Sequence, residues 1–257
     1  MDYLLVAFLA FAASMLTFFS GFGLGTILTP AFLLFFPLPI AISMTALVHF
    51  LNNLFKTGII GGYVNRKVML NFGLPAVLGV IPGVILLNRL DSIPVITNYQ
   101  LFNSEFSMTW MGIIIGLLMI LFSLSEFNSG NTSKPGAVAL GAGGFVSGFF
   151  GGLSGHQGAL RSGFLIRLNL SKESFVATGV AISLFVDLTR IPMYYQSWIK
   201  GLGQSEIIMI VVAVIPAFVG AWLGKKYLKK TSISFVRKVV GTALVIVGIL
   251  LILGILN

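Results

Sequence analysis

The sequence predicts an all-α polytopic membrane protein made of two copies of one unit. Three observations point there: composition, long apolar runs, and short matches recurring in order in both halves. The chain has 257 residues, 57% hydrophobic and only 9% charged, with a mean hydropathy of +1.01. A soluble domain of this length would not carry that balance. A hydrocarbon layer of about 30 Å is crossed by about 20 apolar residues in a helix. Backbone groups in lipid must bond internally, so only helices or a closed barrel can cross. The runs lack the period-2 alternation of barrel strands, which leaves helices.

The elements follow in order. The first run, 4–19, has no basic n-region and no small-residue cleavage site, so it reads as part of the mature protein and not as a signal peptide. It enters the glycine-broken stretch SGFGLGTILTP at 20–30. The piece after that break, 26–36, is too short to cross a bilayer. Full spans are expected over 40–63, 68–87 and 108–127, with 92–107 as an external connector. A polar link at 128–135 precedes a second glycine-broken stretch, GGLSGHQGALRS at 151–162. Its short continuation, 159–168, is followed by spans over 174–198, 206–224 and 236–256.

The repeat is visible in the residues themselves. Leu74-Pro75-Ala76-Val77-Leu78-Gly79 matches Ile215-Pro216-Ala217-Phe218-Val219-Gly220 at an offset of 141, and Gly83 falls opposite Gly224. Asn53-Leu54-Phe55-Lys56 matches Asp187-Leu188-Thr189-Arg190 at an offset of 134. The two glycine-broken stretches correspond as well. The expected organisation is a first transmembrane repeat over 1–127, a cytoplasmic linker over 128–135 and a second repeat over 136–257. Each repeat is a glycine-broken helical hairpin plus three transmembrane helices.

If each hairpin enters and leaves on one side, the halves are inverted relative to each other. Loop charge favours this. Inversion collects eleven of the sixteen lysines and arginines on one side (Arg66, Lys67, Lys134, Arg167, Lys172, Lys225, Lys226, Lys229, Lys230, Arg237 and Lys238). Arg89 and Lys200 fall on the other side, and three remain in the membrane. Parallel halves would blunt that bias. The basic side is assigned to the cytoplasm by the positive-inside pattern, with both termini outside. The formal charge of +9 therefore reflects orientation, not nucleic-acid binding. With no cysteine, disulfides and thiolate chemistry are excluded.

Lys56, Arg161 and Arg190 interrupt apolar segments, where a positive group costs roughly 2.5–3.5 kcal/mol to insert. Such groups are functional candidates, and their sign points to an anion; the alternative is that each snorkels or pairs structurally. Inverted repeats with broken helices are the architecture of secondary transporters, whose sites lie near the midplane. Gly23 and Gly25 allow a sharp turn and close approach of a ligand, and the helix start near Thr26, with Thr29 a turn later, is a natural anion seat. The second break supplies Gly155 and Gly158, with Ser154, His156, Gln157 and Arg161. A guanidinium holds sulfonate, sulfite or carboxylate through paired hydrogen bonds, which makes Arg161 the foremost candidate.

Arg190 stands three residues from Asp187, consistent with a salt bridge on one helical face. Asn53 and Lys56 occupy the equivalent positions of the first repeat. Asp187, the one acidic residue deep in a span, is the candidate for proton coupling. His49 reads as a packing group between helices. The pairs Gly112/Gly116, Gly79/Gly83 and Gly220/Gly224 read as helix packing, with a homodimer face as one use. One deep aspartate and two distant histidines give no metal site, no cofactor and no enzyme centre.

SGFGLGTILTP, its counterpart GGLSGHQGALRSGFL, and the paired PAVLG and PAFVG segments together resemble the sulfite exporter TauE/SafE family of membrane permeases. The likeness covers nearly the whole chain. It implies transport of small anions, namely sulfite, organosulfonates or related short carboxylates, across the bacterial cytoplasmic membrane. The first break has fewer consecutive glycines than the family pattern, and the second carries His156, Gln157 and Arg161 where many members have more glycine. The expected function is a secondary transporter working by alternating access, with the anion at the repeat interface and one repeat rocking against the other. An anion channel with a basic pore is the alternative.

Overall fold

The computed structural model describes residues 2–20, 23–101, 104–127, 134–201, 203–227 and 233–256. Among them are eleven α-helices and one two-stranded antiparallel hairpin. The expected linker therefore lies outside the described residues except for its end at 134–135, as do Gly21, Phe22, Asn103, Lys229 and Lys230.

The first helix, α1 (Asp2–Ser20), stops at the glycine stretch, and the short α2 (Gly25–Leu33) follows. Helix α3 (Leu38–Ile60) starts after Pro37, with a second proline in its first turn where no N–H is needed. A single 3-10 turn leads to α4 (Arg66–Asp91), capped by Asn65, whose side chain accepts from Val68 N–H at 3.1 Å. The expected connector is a hairpin of β1 (Thr97–Leu101) and β2 (Ser104–Met108). Tyr99 donates to the Leu253 carbonyl, tying the hairpin to the far end of the chain. Helix α5 (Trp110–Phe127) closes the first half.

The second half repeats the order with α6 (Ala137–Ser154), the short α7 (Gln157–Leu165) and α8 (Lys172–Met193). It continues through α9 (Tyr195–Gly201), α10 (Gln204–Tyr227) and α11 (Ile233–Ile252). Two expectations need correction. The span foreseen over 174–198 is two helices, because Pro192 withdraws a donor in the last turn of α8 and the chain turns at Tyr194. The hairpins, expected as pairs of short apolar pieces, have a long leading arm: α1 and α6 have 19 and 18 residues, roughly 27–29 Å at 1.5 Å per residue. Only α2 and α7, with nine residues each, stop halfway.

Five helical segments among the described residues are long and apolar enough to cross a membrane. Large apolar side chains such as Leu78, Leu121, Val138 and Ile215 lie on the outside. In water such a surface would aggregate; in lipid it is ordinary. The chain is a multi-pass helical membrane protein.

The helices of each half of the chain do not pack only among themselves. Helix α4 packs chiefly on α6, and α1 chiefly on α10, so each hairpin's long arm lies on a span from the other half. Glycine permits this. A Cβ at Gly79 or Gly83 would strike the Phe145 or Phe149 carbonyl of α6; one at Gly144, Gly148 or Gly152 would strike the α4 carbonyls of Phe72, Ala76 and Val80. In the mirror contact, Gly220 meets the Phe11 carbonyl and Gly224 meets Phe18. Gly116 faces the Gly248 carbonyl across α5 and α11. Of the glycines read as a possible dimer face, Gly79, Gly83, Gly116, Gly220 and Gly224 are covered from within the chain.

Candidate functional site

Helices α3 and α8 cross at the centre and present matching faces. Thr45, His49, Asn53 and Lys56 fall on one side of α3; Gly179, Ser183, Asp187 and Arg190 fall on one side of α8. Each pair is separated by the same 134 residues, and all eight are buried. Spacings of three and four residues put each set on one helical stripe.

The stripes meet in a buried ionic knot. Asp187 Oδ1 accepts from Arg190 Nε at 2.9 Å and lies 2.8 Å from Nη2. Its Oδ2 accepts from His49 Nδ1 at 2.7 Å, which places the proton of a neutral imidazole on that nitrogen. Asn53 Nδ2 reaches the same oxygen at 3.4 Å. Arg190 also donates to the Gly151 carbonyl at 3.0 Å, and Tyr194 Oη to the Gly152 carbonyl at 2.7 Å, fixing α8 to the end of α6. Asp187 and Arg190 are both 0% exposed. The expected salt bridge is present, but it belongs to a larger network that includes His49. Reading His49 as a packing group missed this; the signal available was its i, i+4, i+7 alignment with Asn53 and Lys56.

Beside the knot, toward the end where the turn after α3 meets α8 and α10, lies a small cavity of about 20 Å³. That end is defined by Lys225 Nζ donating to Ile59 O and by Asn65 N–H donating to Thr178 Oγ1. Of the proposed site residues, the cavity gathers Gly23, Asn53, Lys56 and Arg161. His49, Ser162 and Ser183 line it too, and residue chemistry alone had not singled them out. Lys56 and Arg161 are 3% and 4% exposed. Arg161, on the short α7, donates to Ser183 Oγ and stands against bare Gly179, where a Cβ would come 3.3 Å from Nε. Lys56 Nζ lies 5.5 Å from the Phe18 ring centre and donates to Asn52 Oδ1 at 3.1 Å when that amide is oriented to satisfy both its ends. Two cations thus line a pocket whose described lining has no carboxylate. At low dielectric, such charges attract an anion far more strongly than in water.

The remaining candidates lie at the two breaks, outside that lining. Gly23 and Gly155 both adopt positive φ, +90° and +80°, which is the backbone reason for glycine there. The breaks abut: a Cβ at Gly25 would be 3.3 Å from the Gly155 carbonyl, and one at Gly23 would be 3.9 Å from Gly158 Cα. Neither α2 nor α7 has a side-chain cap at its N-terminus. Ser154 bonds back to the Phe150 carbonyl of its own helix at 3.0 Å, so its hydroxyl serves the backbone. Thr26 is buried in the first turn of α2. Thr29 Oγ1, Thr45 Oγ1, the Gln157 amide nitrogen and both His156 ring nitrogens are buried without a well-formed hydrogen bond.

Broken helices meeting around a buried cationic pocket in a multi-pass bundle are the features of a helical membrane transporter. The chain belongs to the sulfite exporter TauE/SafE family of membrane transporters, whose family model matches residues 6–251. Among curated proteins no sequence matches it.

Proposed function

We propose that this protein is a secondary transporter for a small anion, most simply sulfite, an organosulfonate or a short carboxylate, held at the crossing of α3 and α8. The observation that carries this reading is that Lys56 and Arg161, one from each half, share one buried pocket. Arg161 supplies a fork matched to two oxygens; Lys56 adds a compact charge, and Ser162 and Ser183 add hydroxyls. Asp187 and His49 form the proton-coupling pair, since a proton gained by either changes the field on the adjacent cations. An enzymatic role forms no part of this reading.

In this proposal the halves, residues 1–127 and 136–257, have inverted topology, with the basic end in the cytoplasm of a bacterial inner membrane and both termini outside. The reciprocal packing supports it: α1 on α10 answers α6 on α4, α3 on α10 answers α8 on α4, and the equivalents α3/α8 and α5/α11 meet each other. A two-fold axis in the membrane plane would produce that pattern. The same packing changes the expected motion. In this reading one repeat does not rock against the other as a rigid unit, because each clasps the other's long arm. The moving bodies are instead the mixed pairs, α4 with α6 and α1 with α10.

A pocket of about 20 Å³ is little more than the space one water needs, and a void that small supports a carrier over a continuous wet pore. A channel would give unitary currents in a planar bilayer; a carrier gives slow, saturable exchange. The central test is Arg161→Ala in proteoliposomes. Sulfite exchange is expected to vanish while insertion and the melting profile persist, and wild-type exchange by that variant would remove the reading. A homodimer remains compatible with the apolar outer surface, and cross-linking in native membranes tests it.

A further inference from the structure

The orphaned polar atoms at the breaks are concentrated on the side of the ionic knot away from the cavity. Buried polar groups are nearly always hydrogen-bonded, so each one without a partner requires a reason. Thr29 and Thr45 are 0% exposed, as is His156. Thr29 Oγ1 points at the bare face of Gly155, 3.6 Å from where a Cβ would stand, and Arg190 Nη1 lies 3.4 Å from the same point. Thr45 flanks Gly25, which in turn faces the Gly155 carbonyl. The Thr29 hydroxyl, the Gly155 turn and Arg190 therefore surround one spot between the breaks, and Thr45, whose methyl lies against Gly25 and whose hydroxyl is unpartnered, stands beside it.

The repeat explains the spot. Gly23 and Gly155, the left-handed glycines, are 132 residues apart, and so are Thr29 and Arg161. Lys56 and Arg190 are 134 apart, as are Thr45 and Gly179. The cavity is built from Lys56, Arg161 and Gly179; its duplicate would be built from Arg190, Thr29 and Thr45. That is the set gathered here.

We infer that the transport path contains a second anion subsite, beyond the His49–Asp187–Arg190 knot, formed by Thr29, Thr45 and His156 beside Arg190. Its ligand is the same small oxyanion or sulfonate headgroup, held through hydroxyl and imidazole N–H donors beside the paired Arg190. Arg190 is largely neutralised by Asp187, so this subsite binds more weakly than the Lys56–Arg161 pocket. A weak station next to a strong one allows release. The inference rests on the transporter reading above.

The test uses Thr29→Val with Thr45→Val, which keeps shape and removes both hydroxyls. Sulfite exchange in proteoliposomes should fall at least tenfold, while thermal stabilisation of the purified protein by sulfite stays within about threefold of wild type in midpoint concentration. Thr29→Ser with Thr45→Ser should restore exchange. Wild-type exchange by the valine variant overturns the second subsite, and so does parallel loss of sulfite binding, which would mean one shared site. Should the valine pair fail to fold, His156→Asn carries the same expectation of binding without exchange. Arg161→Ala separates the two claims: normal exchange there sinks the transporter reading itself, whereas lost binding there with normal exchange in the valine variant sinks only the subsite.

Discussion

In the proposed repeat the stripe on α3 and the stripe on α8 occupy equivalent places, and they differ in chemistry. Where α3 offers Thr45, His49, Asn53 and Lys56, α8 offers Gly179, Ser183, Asp187 and Arg190. The positions are held by what the halves still share: the glycine contacts of α4 on α6 and α10 on α1, and the left-handed glycine at each break. At those glycines the facing backbone leaves no room for a side chain, while the positions between them differ in chemistry. The result is lopsided, with a carboxylate and a fixed guanidinium on one stripe and an imidazole, an amide and a pocket-lining ammonium on the other.

The sharpest way to break this comparison is at its one carboxylate. Asp187→Ala leaves Arg190 buried without its partner, a loss expected to cost about 3–5 kcal/mol and to abolish the folded peak in detergent-solubilised protein. The equivalent Asn53→Ala should cost only about 1–2 kcal/mol, the scale of one long hydrogen bond to the carboxylate. Equal effects in thermal melts would contradict the assigned asymmetry. The shared scaffold makes the opposite forecast: Gly148→Ala and Gly220→Ala each push a methyl into a facing carbonyl and should destabilise alike, by about 1–3 kcal/mol. A harmless Gly220→Ala would show that the second clasp is not equivalent to the first.

At the pocket, Arg161→Lys keeps the charge but loses the fork, and should weaken sulfite binding about tenfold, near 1.4 kcal/mol, as read by calorimetry. The reverse exchange, Lys56→Arg, should be tolerated less well for lack of room in the small cavity. The smallest effects belong to the helix caps. Ser171 accepts from Ser174 N–H at 3.1 Å and Asn65 from Val68 N–H at 3.1 Å. Alanine at either should cost about 1 kcal/mol and lower the melting temperature by about 2–4 °C.

Much of this was legible beforehand. Apolar runs and the two glycine breaks gave the helices, because a lipid-facing helix needs little else. The offset of 134 matched residues 53–56 with 187–190, but that the two helices carrying them meet is seen only in the fold. The three basic residues were visible because charge is rare in such segments. What escaped was set by three-dimensional partners. His49 looked like packing because its carboxylate lies 138 residues away. Ser183 carried no signal until Arg161 met it across α7 and α8. The glycine stripes announced close packing without naming the helix that would use them, since 79 and 83 require 145 and 149. The break in α8 followed from Pro192, whose position near a helix end was ambiguous between a kink and a stop.

The clasp of α1 by α10 also bears on how the chain is made. A ribosome delivers α1 first, and nearly two hundred residues pass before its chief partner emerges. Through that interval the face of α1 that will receive Gly220 and Gly224 has only lipid or a chaperone to cover it. Insertion must therefore precede assembly, and neither half, expressed alone, can complete its own bundle. Supplied as two separate polypeptides, the halves should each be unstable and should rescue one another when made together.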